Sequence, residues 1–324
     1  MNILKPLIKI AISLTLIAIV LNAFDVRGVG SHFAKVDAIT LLLAVTIALA
    51  IALLHTARWL AVINANDARL NFKTALQLVL IGHFFNQALP SSVGGDAVRI
   101  WCAYRAGLSF SSAANTVIVD RAFTLFSLLL LTAAGLPWLF EIINDPAARW
   151  ALSTVLFAGI AGFGAFLALT RLPQFMAHWR VVRALLSLAA LGRKVMFSVR
   201  YALPVILVSV LSFVGFSIIV FYLADAMQLD ITLRDCVLLV PPVILVSILP
   251  ISIAGWGVRE GAMVVAFGFI NVPAGAAFAV SVLFGLTLAA ASLPGSLLLW
   301  LSGYSVRNVE AEADALAAKE PDQG

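Results

Sequence analysis

The chain has 324 residues, of which 62% are hydrophobic and 11% charged, with a mean hydropathy of +1.06. That composition excludes an ordinary soluble domain and points to an all-α integral membrane protein. The net charge of +5 does not indicate nucleic acid, because the basic residues form no single stripe and sit mostly in short segments between apolar runs, where they orient a membrane protein.

Lys5 and Lys9 precede a first apolar run that ends near Phe24. It looks like a signal sequence, but Leu21-Asn22-Ala23 lacks the small residue that opens an A-x-A cleavage site, so an uncleaved first span is expected. Ala38 to Leu54 makes a second span and returns to a stretch holding Arg58, Arg69 and Lys73. Residues 74–95 are uncharged yet interrupted by Gly82, His83, Asn86, Gln87 and Pro90, which suits a segment that enters the membrane and turns back. Ordinary spans are expected at 122–140, just after Asp120-Arg121, and at 151–170. Between 171 and 200, six basic residues interleave with apolar ones at helical spacing. This predicts either an amphipathic helix lying on a membrane surface or a plain connecting helix.

Tyr201 to Ala224 spans again, and the uncharged stretch 236–258 is broken by Pro241-Pro242 and Pro250. Residues 261–306 would be about 69 Å long as one helix, more than twice the hydrocarbon core. They are expected to break at Asn271-Val272-Pro273-Ala274-Gly275, leaving a half-length helix from Gly261 to Ile270 and a last span over 276–301. A short charged cytoplasmic tail, 309–324, follows a single polytopic domain over 1–308. Cys102 and Cys236 lie in apolar surroundings without CxxC spacing, so neither a disulfide framework nor a zinc site is expected.

One stretch occurs twice. Leu89-Pro90-Ser91-Ser92-Val93-Gly94-Gly95-Asp96-Ala97-Val98-Arg99 returns 160 residues later as Leu249-Pro250-Ile251-Ser252-Ile253-Ala254-Gly255-Trp256-Gly257-Val258-Arg259, with six of eleven positions identical. This marks two related halves, about 38–140 and 201–301, joined by the basic linker at about 171–200. With the N-terminus cytoplasmic and each broken segment re-entering, fifteen of the 21 basic residues fall on the cytoplasmic side, five on the other, and Arg121 in or near the membrane. The bias predicts cytoplasmic termini and six full spans. Three full spans between the copies would invert the second half, so the two re-entrant hairpins dip from opposite faces.

Pro90 and Pro250 help to end the incoming half-helices, while Gly94-Gly95 and Gly255/Gly257 allow a tight reversal that leaves backbone N–H groups uncovered. The next helix begins with its positive dipole end at the turn and Arg99 or Arg259 about one turn in. Together with Ser92, Asp96, Ser252 and Glu260, these residues are the candidate lipid-phosphate site. The competing reading is a Gly/Pro packing break whose arginines snorkel to head groups.

Asp120 and Arg121 are the membrane charge candidates; adjacent on a helix they stand about 100° apart, so each needs a partner elsewhere. Asp96 is the partner to look for beside Arg121, and a basic or backbone donor beside Glu260. The other reading puts Asp120-Arg121 at the membrane surface, where a span starts. His83 and Asn86 are candidates for a polar path, against the reading of a packed, hydrogen-bonded histidine. Gly257 and Gly261, with the Ala/Gly-rich stretch 274–291, predict close helix contact. No Walker A loop, GxSxG elbow, HExxH or dinucleotide fingerprint is present, so no catalytic residue, cofactor or metal is expected.

Phe85-Asn86 with the first copy of the repeat, then Asp120-Arg121, then Leu249-Pro250-Ile251-Ser252 with Gly255, Gly257, Arg259, Glu260 and Gly261, resemble the lysylphosphatidylglycerol synthase transmembrane-domain family, also called the flippase-like domain family. The resemblance covers roughly residues 5–305. It implies a bacterial inner-membrane protein similar to the flippase portion of aminoacyl-phosphatidylglycerol synthases, and to relatives linked with glycolipids or polyprenyl-phosphate-linked sugars. The sequence lacks the soluble aminoacyl-transferase domain of the full-length synthases, so lysyl transfer is not expected. The expected function is translocation of an anionic, phosphate-bearing lipid; the alternative is a membrane subunit or lipid-presenting partner of a separate lipid-modifying transferase. An anionic lipid is thus the expected partner, nucleic acid is not, and a homodimer is left open.

Overall fold

The computed structural model describes residues 29–88, 94–171, 179–248 and 255–302. Among these the regular structure is helical throughout, as a chain in hydrocarbon must satisfy its backbone polar groups within each segment. After a short helix α1 (Val29–Phe33), Asp37 caps α2 (Ala38–Ala65) by accepting the Thr40 N–H. Helices α3 (Phe72–Ala88) and α4 (Gly94–Arg105) flank the first copy of the repeated turn. Ser109 caps α5 (Phe110–Ile142), and Asp145 caps α6 (Pro146–Ala168), which a 3-10 turn extends to Arg171. Then come α7 (Arg180–Met196) and α8 (Val199–Ala226). A Thr232/Asp235 capping box starts α9 (Leu233–Ser247), which with α10 (Val258–Gly268) flanks the second copy, and α11 (Ala274–Leu301) follows.

Five of these, α2, α5, α6 with its 3-10 turn, α8 and α11, are long and apolar enough to cross a membrane. The expected first span, the centres of both turns with Ser92 and Ser252, and the charged tail lie outside the described residues.

Several expectations are corrected. α2 runs on to Ala65 rather than ending near Leu54, so Arg58 stands inside the helix, because no breaker intervenes before Asn66-Asp67, where Asp67 takes a positive φ of 56°. α5 begins at Phe110 rather than Ala122, with the Ser109 cap supplying its start. Pro241-Pro242 lies within α9 without ending it. A proline removes one N–H and crowds one carbonyl, and neighbouring membrane helices can absorb that loss. The break before the last span does fall at Asn271, with φ 61°. In the linker, α7 buries Leu191 and Val195 against Val62, Phe123, Phe163 and Val205, while Trp179, Val181 and Leu185 stay exposed.

The two halves repeat as elements. Helices of 28, 17, 12 and 33 residues (α2 to α5) recur as helices of 28, 15, 11 and 28 (α8 to α11). The packing obeys the same exchange: α2 lies on α8, α3 lies on α11 as α9 lies on α5, and α2 meets α5 as α8 meets α11. Ile51 of α2 meets Gly215 of α8, while Arg58, farther along α2, meets Ser209, farther back along α8. The helices are therefore antiparallel, and a two-fold relating them is perpendicular to both, in the plane of the membrane. The halves are inverted.

Candidate functional site

The first hairpin brings α4 under α3 and against α5. Gly95 lets it do so: a Cβ there would collide with the Gly82 carbonyl and the Asn86 side chain. Asn86 instead accepts the Gly95 N–H at 3.0 Å, so the residue expected on a polar path caps the helix start. Asp96 and Arg99, both buried, then project from the first turns of α4 toward Asp120 and Arg121 of α5.

Adjacent on α5, Asp120 and Arg121 do find separate partners. Arg121 donates to both Asp96 oxygens, at 2.7 and 2.8 Å. Asp120, fully buried, accepts from Arg58 Nε at 2.8 Å, from Arg58 Nη2 at 3.2 Å and from Arg99 Nη2 at 3.1 Å. Arg58 also donates to Ser209 of α8 at 3.3 Å, and Arg99 lies over the Trp59 ring, 4.7 Å from its centre. Arg99 is 3% exposed and Asp120 is not exposed at all, so both are held inside the protein rather than reaching out from it. Three arginines facing two aspartates leave one excess positive charge, and of the three Arg121 is the exposed one, its side chain 41% accessible. Among the described residues, Arg99 Nε and Trp59 Nε1 are buried donors without an acceptor.

The second turn is in a different state. Gly255 and Gly257 take φ values of 80° and 87°, the left-handed region a tight reversal needs. Glu260 reaches back from α10 to accept the Gly257 N–H at 2.5 Å and binds its neighbour Arg259 at 2.6 Å, with Ser281 of α11 donating at 3.3 Å. Arg259 is 4% exposed, set over Trp256 and against Gly285, where any Cβ would strike the guanidinium. Glu260 thus neutralises Arg259 and satisfies the N–H of the turn. Ser281 stands 160 residues after Arg121, the spacing of the repeat, and each binds the acid of its own hairpin.

Sequence reasoning missed Arg58, Trp59, Ser209 and His55. The signal for Arg58 was its setting: uncharged apolar residues on both sides, with no helix breaker to carry it out of the membrane. His55 precedes it by one turn, and its Nδ1 lies 3.4 Å from Nε2 of His83. Among the described residues no group of His, Cys, Asp or Glu is arranged to hold a metal ion.

The profile of the family described as the lysylphosphatidylglycerol synthase TM region matches residues 7–295. The chain belongs to this family. A UPF0104 membrane protein of Methanocaldococcus jannaschii is 25% identical to it over 263 residues, covering 75% of this chain and 78% of the relative. No solved structure matches. In this member of the synthase membrane-region family, the matched span contains both hairpins and all of the arginine–aspartate cluster.

Proposed function

We propose that this protein is a translocase for an anionic, phosphate-bearing lipid, and that the first hairpin is its head-group site. The observation that carries the reading is the uncompensated positive charge of Arg58, Arg99 and Arg121 against Asp96 and Asp120 within the membrane domain. A charge at the bilayer centre costs about 2.5–3.5 kcal/mol on insertion scales and is retained where it is used. A phosphate entering past Arg121 replaces the Asp96 carboxylate on that guanidinium, gains the unpartnered Arg99 Nε, and meets the N-terminal end of α4. The lipid chains stay in the bilayer, and the inverted halves supply alternating access. No bond in the lipid is made or broken.

The basic-residue bias supports cytoplasmic termini. Taking the buried Arg58 and Arg99 from one side and Arg259 from the other leaves thirteen against four. An aminoacyl-phospholipid or a polyprenyl-phosphate-linked glycolipid in a bacterial inner membrane fits this site. The second reading, a subunit that presents lipid to a separate transferase, is favoured by the family's description as the membrane region of a synthase.

The test is transbilayer movement of labelled phosphatidylglycerol and of a polyprenyl-phosphate lipid in reconstituted vesicles. The translocase reading expects movement that Arg121→Gln abolishes in a folded protein. Absence of movement for both lipids, with and without an imposed ion gradient, rejects it in favour of the presenting role.

A further inference from the structure

His55 sits one helical turn before Arg58 on α2, and His83 follows Gly82, whose face touches the Arg99 side chain. The two rings meet edge to face, with centres 5.4 Å apart and Nδ1 of His55 3.4 Å from Nε2 of His83. Both are half-buried. The groups that face the pair are Arg58 from α2, Asp96 and Arg99 from α4, and Arg121 from α5. From α8 the Phe216 ring packs edge-on to His55, and α11, which also packs on α2 and α3, has no ionisable side chain. Between two neutral imidazoles one N–H bridges one bare nitrogen, and the donor ring keeps its other nitrogen bare; a proton there makes an imidazolium that still donates across the contact.

We infer that the His55–His83 pair is a proton-binding site coupled to anion binding at the neighbouring arginine cluster, so that a head group and a proton are taken up together. The inference rests on the phosphate-site reading above. While the cluster carries an excess positive charge, another cation beside it is opposed at short range in a low dielectric. A bound phosphate cancels that charge, and the proton then enters from solvent to the bare ring nitrogen with no other bond changed. By linkage the effect is mutual: a proton on the pair strengthens anion binding. Uptake turns the neutral ring contact between α2 and α3 into a charged one, imidazolium donating to imidazole, which links protonation to the seating of the first hairpin on α2.

The experiment is isothermal calorimetry of short-chain phosphatidylglycerol binding to the detergent-solubilised protein, in two buffers of equal pH and different ionisation enthalpy. Wild type is expected to take up ~1 proton per lipid at about pH 6.5. The His55→Asn/His83→Gln protein keeps amide groups in place of the facing ring nitrogens and is expected to bind lipid with no proton uptake. Lipid binding by wild type without proton uptake overturns the coupling and leaves the phosphate site standing. Uptake that persists in the double variant assigns the proton elsewhere, Asp96 first, and overturns it too. No lipid binding at all overturns both readings. In wild type alone, nitrogen-labelled histidine spectra should show imidazolium growing as lipid is added; unchanged spectra overturn the inference independently of how the variant folds.

Discussion

Asp120 has no contact with solvent and serves two arginines from two other helices. Removing one partner of a buried ion pair leaves the others charged and unpaired, which costs about 3–5 kcal/mol. Asp120→Asn should therefore lower the unfolding free energy by about that amount, measured by denaturant or thermal unfolding in detergent. Glu141→Gln, which breaks the exposed 3.7 Å pair with Arg234, should stay within about 0.5 kcal/mol. At this scale the sequence was readable where helix geometry alone decides. Neighbours on one helix stand about 100° apart, which favours partners elsewhere, and Arg121 does find Asp96, whereas Arg259 and Glu260 at the start of α10 reach each other. Arg58 was harder to read, because a lone basic residue after an apolar run reads as the end of a span unless the missing helix breaker is weighed and its acid partner is known. That partner lies 62 residues away.

Close helix contact decides the elements. Gly295 of α11 backs onto the Leu80 carbonyl of α3, whereas a Cβ on Gly162 of α6 would meet nothing within 4 Å. Gly295→Ala should destabilise the protein by about 1–3 kcal/mol through overpacking, and Gly162→Ala should not destabilise it; parallel unfolding curves check the contrast. The small-residue stretch 274–291 announced close packing of α11 although Gly295 lies beyond it, and α11 is the most buried of the described spans. The break at Asn271 was equally legible, since an uncharged run of that length outreaches the hydrocarbon core. Pro241-Pro242 misled, because a proline pair says what the backbone lacks and not whether the packing of α9 against α5, α8 and α10 makes up for it.

Over the whole molecule, the duplicated turn announced two halves, and the antiparallel crossing of α2 and α8 shows them inverted. What the repeat could not announce is that its copies differ in charge state. The arginine of the first turn belongs to a cluster with a positive charge to spare, while that of the second is neutralised by Glu260 beside it. The difference arises from residues outside the shared motif positions: Arg58 and Arg121 on one side, Glu260 and Ser281 on the other. The central claim is that the first turn alone, in this conformation, holds the lipid phosphate. Native mass spectrometry of the purified protein with added phosphatidylglycerol tests it most directly. Bound lipid should be retained by wild type and by Arg259→Gln/Glu260→Gln, and lost from Arg121→Gln. Lipid that survives Arg121→Gln but is lost from the second-turn double variant would contradict the account.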